Sequence, residues 1–232
     1  MLDRSAVVAV LVICLRLGGG VGLVGFSGVM LAGCERRKPV HSLDLDAVRI
    51  SGDARMRTDT VGDGKFASTA TFVLVDAENR AADGAYITLG GELSDSIGGR
   101  AGVLKSQSLW VPAHESRTFA LVDNERAPRP DAVAARIKVY GAVIPDDPPR
   151  AHITELHSFD DHGKIVVRAY LVNDADRPGQ MMVIGSFHDA HDQPMTRPFQ
   201  MIELGANDKR VVQFVGPEGS TRGTIFVGDA IY

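Results

Sequence analysis

The chain has 232 residues, with 25 Lys and Arg against 29 Asp and Glu and a formal net charge of −4. A mildly acidic chain whose basic residues cluster only at 35–38 offers no electrostatic footprint for nucleic acid. Its two cysteines are Cys14 and Cys34, so the chain beyond residue 34 has no disulfide, catalytic thiol or cysteine-based zinc site and must be held together by burial.

In chain order, the first segment has a short charged start (Asp3, Arg4), an apolar run from Ala6 to Leu15, then Arg16. A second apolar run, Leu17 to Gly33, has glycine at 18, 19, 20, 22, 25, 28 and 33. This is the build of a secretory signal. The competing reading is a transmembrane helix of about 20 residues. Seven glycines weaken any such helix, and Arg16 would lie inside the membrane. Arg16 also splits the apolar body. Either residues 1–16 are a long basic leader or translation starts after Met1, and both leave Leu17 to Gly33 as the working segment.

The residues Leu31-Ala32-Gly33-Cys34 resemble the lipobox of bacterial lipoproteins, an aliphatic residue and two small ones before a cysteine. Ala32 and Gly33 leave the backbone bare for a peptidase. The resemblance implies that residues 1–33 are a signal peptide and that Cys34 becomes the first residue. It also implies that the Cys34 sulfur carries a diacylglycerol (palmitate-type chains), and that the body is anchored to a bacterial membrane facing the periplasm or exterior. Loss of Asp3, Arg4 and Arg16 takes the net charge to −5. Residues 34–44 are then a lipidated tether. Its Arg36, Arg37 and Lys38 either stay solvated or add about 1 kcal/mol each beside anionic headgroups. Glu35 is not the aspartate that holds some lipoproteins on the inner membrane.

Beyond the tether every apolar run is short and alternates: Phe72/Leu74, Ile87/Leu89, Phe119/Leu121, Val133/Ala135/Ile137/Val139, Val167/Ala169/Leu171 and Val212/Phe214. Period-two alternation places one side of a strand in a core and the other in water. Turn clusters (Asp95–Gly99, Asp123–Asp131, Asp174–Gly179, Asp189–Pro194) separate the runs, and all 11 prolines follow Cys34. The segment Ala132 to Tyr140 has helical propensity, but its alternation favours a strand. The expectation is an all-β chain.

Three pairs of segments recur in the same order. Gly64-Lys65-Phe66 and the run Ala70–Asp76 answer Gly163-Lys164-Ile165 and the run Val167–Asn173. Tyr86–Leu89 and the turn Leu93–Gly99 answer Met182–Ile184 and Phe187–Gln193. Val111-Pro112-Ala113-His114-Glu115 through Phe119 answers Leu204-Gly205-Ala206-Asn207-Asp208 through Val212. Between the copies lies Ile144-Pro145-Asp146-Asp147-Pro148-Pro149, whose three prolines exclude helix or a central strand. The domain plan is therefore a β-sandwich repeat over 45–143, a Pro-rich linker over 144–149 and a second repeat over 150–232. These are two tandem immunoglobulin-like β-sandwiches.

The order of an Asn-ending strand, Phe187-His188-Asp189-Ala190-His191-Asp192-Gln193-Pro194 and Leu204-Gly205-Ala206-Asn207-Asp208 resembles the small FxLYD-type domains of bacterial surface proteins. His188 stands where that family has an aromatic and Asp192 where it has Gly; the first copy has Ser94 and Gly98. The resemblance covers about 164–232 and more loosely 66–143, and it implies a fold without an activity. The aspartate of the turn has a structural purpose, capping backbone amides in a hairpin.

Five of the seven histidines lie in the second copy: His152, His157, His162, His188 and His191. His188-x-x-His191, beside Asp189 and Asp192, offers two imidazoles and carboxylates to a divalent metal. His157 and His162, beside Asp160 and Asp161, are further candidates. The plain alternative is that these are solvated turn residues, since Ser94 and Ile97 hold the matching places in the first copy. No Gly-x-Ser-x-Gly elbow follows the signal region, and Ser94 and Ser96 beside Asp95 have no histidine at a diagnostic spacing. The pairs Asp44/Asp46, Asp146/Asp147 and Asp160/Asp161 lack the ligand run of a calcium loop. Trp110 is expected to pack in a core or anchor a strand edge.

The expected function is a non-enzymatic binding or scaffolding module of the cell envelope, with no cofactor. It meets the bilayer through acylated Cys34 and engages an envelope protein partner, for instance by strand addition. The alternative is a periplasmic metal-binding protein using His188 and His191.

Overall fold

Thirteen strands and two single 3-10 turns (Leu45–Ala47 and Gly64–Phe66) make up the body. The computed structural model describes His41–Tyr232 apart from Asp63 and the side chains of Ser51, Asp53 and Phe66. Cys14, the Leu31–Cys34 segment and the expected acylation of Cys34 lie outside the described residues. Pro39–Tyr232 forms one compact unit.

The first half has β1 (Val48–Val61), β2 (Ser68–Asn79), β3 (Ala85–Ser94), β4 (Arg100–Val111), β5 (Ser116–Val122) and β6 (Ala134–Val143). They form two antiparallel sheets, β1-β2-β5 and β4-β3-β6. The second half has β7 (Ala151–Asp161), β8 (Lys164–Asn173), β9 (Gly179–His188), β10 (Pro194–Thr196), β11 (Phe199–Leu204), β12 (Lys209–Glu218) and β13 (Arg222–Ile231). Its sheets are β7-β8-β12 and one in which β9 is flanked by β13 and by β10 and β11. The strand order is the same in both halves once β10 and β11 are taken together as the counterpart of β4. The fold is all-β and sandwich-like, with sheets packed face to face in immunoglobulin-like fashion. Ala132–Tyr140 contributes a strand and no helix, as its alternation predicts.

Each half closes over its own apolar cluster. Val73, Val75, Ile87, Leu89, Leu109, Phe119 and Leu121 fill the first. Val167, Leu171, Met181, Val183, Phe187 and Phe214 fill the second. Packing in the second half needs bare backbone at Gly185, where a Cβ would stand 2.7 Å from the Phe214 ring. The two-residue connection His162-Gly163 between β7 and β8 has both residues at positive φ (54° and 80°), the geometry of a two-residue hairpin turn.

Local hydrogen bonds match between the halves. Asn79 Nδ2 donates to the carbonyls of Asp83 and Val111, and its Oδ1 accepts from the Ala81 amide. Asn173 does the same with Arg177, Gly205 and Ala175. Asp95 Oδ1 caps the amides of Ile97 and Gly99, and Asp189 Oδ1 caps those of His191 and Gln193. Gly98 and Asp192 both take positive φ. The structural counterpart of Asn173 is thus Asn79, not Asp76. The sequence pairing of 70–76 with 167–173 is displaced by three residues, because apolar alternation looks alike at several offsets while the buried amide has one position.

Within the expected tether, His41 accepts from the Ile144 amide and Leu43 donates to the Ala142 carbonyl, and Leu43 packs on the first core. One further expectation is corrected: the second side of every strand is not in water. Phe72 and Leu74 face away from their own core, yet Leu74 is only 2% exposed, and β9 is buried on both faces. Ile184 and Phe226 of the second half belong to the apolar cluster of the first. The halves therefore share a buried junction.

Candidate functional site

The junction follows from strand alternation. On β2, Val73, Val75 and Ala77 point into the first core, so Phe72, Leu74 and Asp76 point the other way. Antiparallel register extends that outer face into the rows Arg57–Phe72–Val122, Arg55–Leu74–Ala120 and Asp76–Thr118. On β9, Met181, Val183 and Phe187 point into the second core, leaving Ile184, Ser186 and His188 outward. Register sets Phe226, Thr224 and Arg222 of β13 beside them.

Where the faces meet, four side chains form a continuous polar chain. The Thr118 hydroxyl donates to Asp76 Oδ1 at 2.5 Å and pairs with the Ser186 hydroxyl at 2.6 Å, so Ser186 is the donor in that second bond. His188 Nε2 lies 2.8 Å from Asp76 Oδ2. An Nε2–H imidazole satisfies that contact and leaves Nδ1 buried without a partner. Thr118, Ser186 and His188 are all at most 2% exposed. An Asp, a His and a Ser are thus close together, but the Ser186 hydroxyl is spent on Thr118 rather than poised on the imidazole. The arrangement fastens one half to the other instead of activating a nucleophile.

Flanking contacts extend the junction. Arg55 Nη1 reaches Asp189 Oδ2 at 3.3 Å, and Arg57 Nη1 donates to the Met195 carbonyl. The amide of Gln193 holds the Asp189 carboxyl below the usual carboxylate range, helped by the amide of His191 and the charge of Arg55 and opposed by burial. On the other flank the Arg117 guanidinium lies 5.0 Å from the Phe226 ring centroid and pairs with Glu115 at 2.6 Å. Burial pushes the Arg117 pKa down, against the pull of Glu115.

Beside the polar chain is a cavity of about 510 Å³, between the outer face of β1-β2-β5 and the segment 195–199. Its apolar wall is Val61, Phe72, Leu74, Val122, Pro198 and Phe199, and Arg57, Asp59, Gln107 and Arg197 are among the residues that supply polar groups. Arg197 Nε and Nη2 are buried and have no hydrogen-bond partner among the described residues. Burial alone lowers its pKa, to about 10. A smaller cavity of about 270 Å³ is lined by Asp76, Glu78, His114, His188 and Arg222 among others.

The histidines of the alternative, metal-binding reading are not brought together. His188 turns inward to Asp76, whereas His191 is exposed in the Asp189 turn with its amide on the Asp189 carboxylate. His162 is 98% exposed and pairs with neighbouring Asp161; His152 lies 3.4 Å from Asp174; His157 is exposed on β7. Among the described residues no group of three or more His, Cys, Asp or Glu side chains is placed to hold a metal ion. Asp76 was the missing information: the partner of His188 lies 112 residues earlier in the chain. Trp110 is half-buried on β4 and packs at 5.5 Å on Tyr86.

Arg197 escaped sequence reasoning altogether. One signal was available, the unbroken apolar run Phe72-Val73-Leu74-Val75, which marks a strand buried on both faces rather than one.

No family model matches this sequence, and no curated protein matches it. Among solved structures the chain is similar to a red sea bream transglutaminase at 13% identity. The match covers 75% of this chain and 29% of that one with a TM-score of 0.24. A likeness at that level carries no argument about activity.

Proposed function

We propose that the protein is a lipid-anchored, extracytoplasmic binding module of a bacterial cell envelope, built from two tandem immunoglobulin-like units related by duplication. The observation that carries the address is Leu31-Ala32-Gly33-Cys34 after a glycine-rich apolar segment. Acylation at Cys34 tethers the body through the seven residues to His41, a reach of about 25 Å at full extension. No helix among the described residues is long and apolar enough to cross a membrane.

The binding role is supported by the junction. Four side chains and the first apolar cluster, which takes in Ile184 and Phe226, hold the halves in one arrangement, and a rigid frame keeps the cavity beside them formed. Exposed apolar side chains near strand edges, Tyr140 on β6 and Phe199 and Met201 on β11, offer contact to a protein partner by strand addition.

Expression of the full chain and its Cys34→Ser variant in a bacterial host tests the address. Mass spectrometry of the wild type is expected to show a chain beginning at residue 34 with diacylglycerol mass added. The variant is expected to retain residues 1–33. A wild-type thiol found unmodified on an uncleaved chain ends the lipoprotein reading. Crosslinking in envelope preparations tests the partner.

A further inference from the structure

We propose that the cavity beside the junction binds a small organic anion, a single carboxylate on an apolar body, with Arg197 as the residue that receives its charge. The inference stands apart from the anchor and holds whether or not Cys34 is acylated.

A guanidinium carries five N–H donors and accepts nothing, and it does not shed its proton to escape burial. Arg197 nonetheless has Nε and Nη2 buried without a partner, and among the described residues it forms no ion pair. Its neighbours solve the same problem differently: Arg55 pairs with Asp189 and Arg57 donates to the Met195 carbonyl. A largely enclosed cation without a partner is destabilising, and Nη1, the guanidinium nitrogen that is not enclosed, is where an anion in the cavity would meet it.

The surroundings narrow the anion's class. The volume, about 510 Å³, lies in the range of small-molecule sites, which are mostly apolar with a few placed polar groups. Phe72, Leu74, Val122 and Phe199 supply apolar wall, which an inorganic ion would leave unused. Gln107 Oε1 is taken by the Ala120 amide, so its NH2 is the end left to donate. Asp59 on the same lining repels a doubly charged phosphate more than a monoanion. Nη2 is enclosed, so a carboxylate meets Arg197 by charge and by one hydrogen bond at Nη1.

The test uses the full chain in nonionic detergent, titrated with phenylacetate (carboxylate on a ring), benzyl alcohol (ring without charge) and inorganic phosphate (charge without ring). Phenylacetate is expected to saturate by calorimetry at least tenfold more tightly than the other two and to raise the melting temperature. Arg197→Met keeps the length and removes the charge. It is expected to melt higher than wild type without ligand and to lose at least tenfold in phenylacetate affinity. Phe199→Ala, at a rim residue 52% exposed, is expected to weaken phenylacetate at least threefold while leaving the ligand-free melting temperature in place.

The proposal is overturned if phenylacetate does not saturate, if it binds Arg197→Met as tightly as wild type, or if phosphate binds tightest, which would mark an anion site without an apolar subsite. Should Arg197→Met fail to fold, the wild-type series and Phe199→Ala decide: equal binding of phenylacetate and benzyl alcohol, or no loss in Phe199→Ala, rejects it.

Discussion

Replacing Phe226 by alanine tests whether the junction makes the two halves unfold as one. Phe226 lies on β13 of the second half, is 2% exposed, and belongs to the apolar cluster of the first. Truncating a buried Phe costs about 3–5 kcal/mol. Loss of the ring beneath Arg117, 5.0 Å away, removes a further ~0.5–1 kcal/mol. Against a usual total of about 5–15 kcal/mol, that is a large fraction. With a urea slope of about 2 kcal/mol/M, a loss of about 4 kcal/mol lowers the midpoint by about 2 M. Trp110, the only tryptophan, sits on β4 of the first half, so its fluorescence reports on the half that does not contain the mutation. In the wild type the Trp110 and far-ultraviolet circular dichroism transitions are expected to coincide. In Phe226→Ala both are expected to move down together by about 2 M. If the Trp110 transition stays within about 0.5 M of wild type while the dichroism curve splits, the halves unfold independently and the junction is not a structural bond.

Further outcomes follow from the same geometry. Thr118→Val and Ser186→Ala are each expected to destabilise, and the double variant by less than their sum, with a coupling of about 0.5–3 kcal/mol in a double-mutant cycle; strict additivity rejects the 2.6 Å contact. Asn173→Ala, which removes the three hydrogen bonds of a buried amide, is expected to cost about 2–3 kcal/mol by urea unfolding, and a loss below about 0.5 kcal/mol contradicts it. Burial alone would raise the Asp123 pKa, but hydrogen bonds from Arg129, Ala127 and Glu125 leave it lowered. A carboxyl depressed in the folded state adds stability above its unfolded pKa of about 3.9 and loses it as pH falls through the folded value. The stability gap between wild type and Asp123→Asn should therefore be constant from pH 7 to 5 and shrink below about pH 4; a gap unchanged at pH 2 refutes this. In an X-ray absorption or calorimetric zinc titration of the full chain, His188→Ala should alter nothing specific to metal, because its Nε2 is engaged by Asp76. A saturable site abolished by that substitution would restore the metal reading.

Much of the architecture was legible because it is local. Alternation at Ile87/Leu89, Phe119/Leu121 and Val167/Ala169/Leu171 marks strands through a periodicity that any reader of the sequence can see. The aspartates at 95 and 189 announce turns because a short carboxylate bonds backbone amides two and four residues on. Alternation names two faces, however, without saying what lies against the second. Phe72 and Leu74 look like core residues of their own half, yet they lie on its outer face, Leu74 buried and Phe72 half-buried at the junction.

The candidate site was hidden for the same reason. Arg197 sits in an ordinary polar stretch, and nothing local distinguishes it from a solvated arginine. Its character comes from Phe72 and Val122 of β2 and β5, which the chain brings opposite it from more than 70 residues away.

What the amino-acid order determined by itself was strand and turn, since these depend on contacts between near neighbours and on backbone chemistry. Only the tertiary structure decided that His188 is a fastener for Asp76 and that Arg197 is a largely enclosed charge with no counterion among the described residues. Both facts arise where two outer sheet faces meet, and the energy of such a meeting depends on shape and register across the whole body rather than on any segment of it.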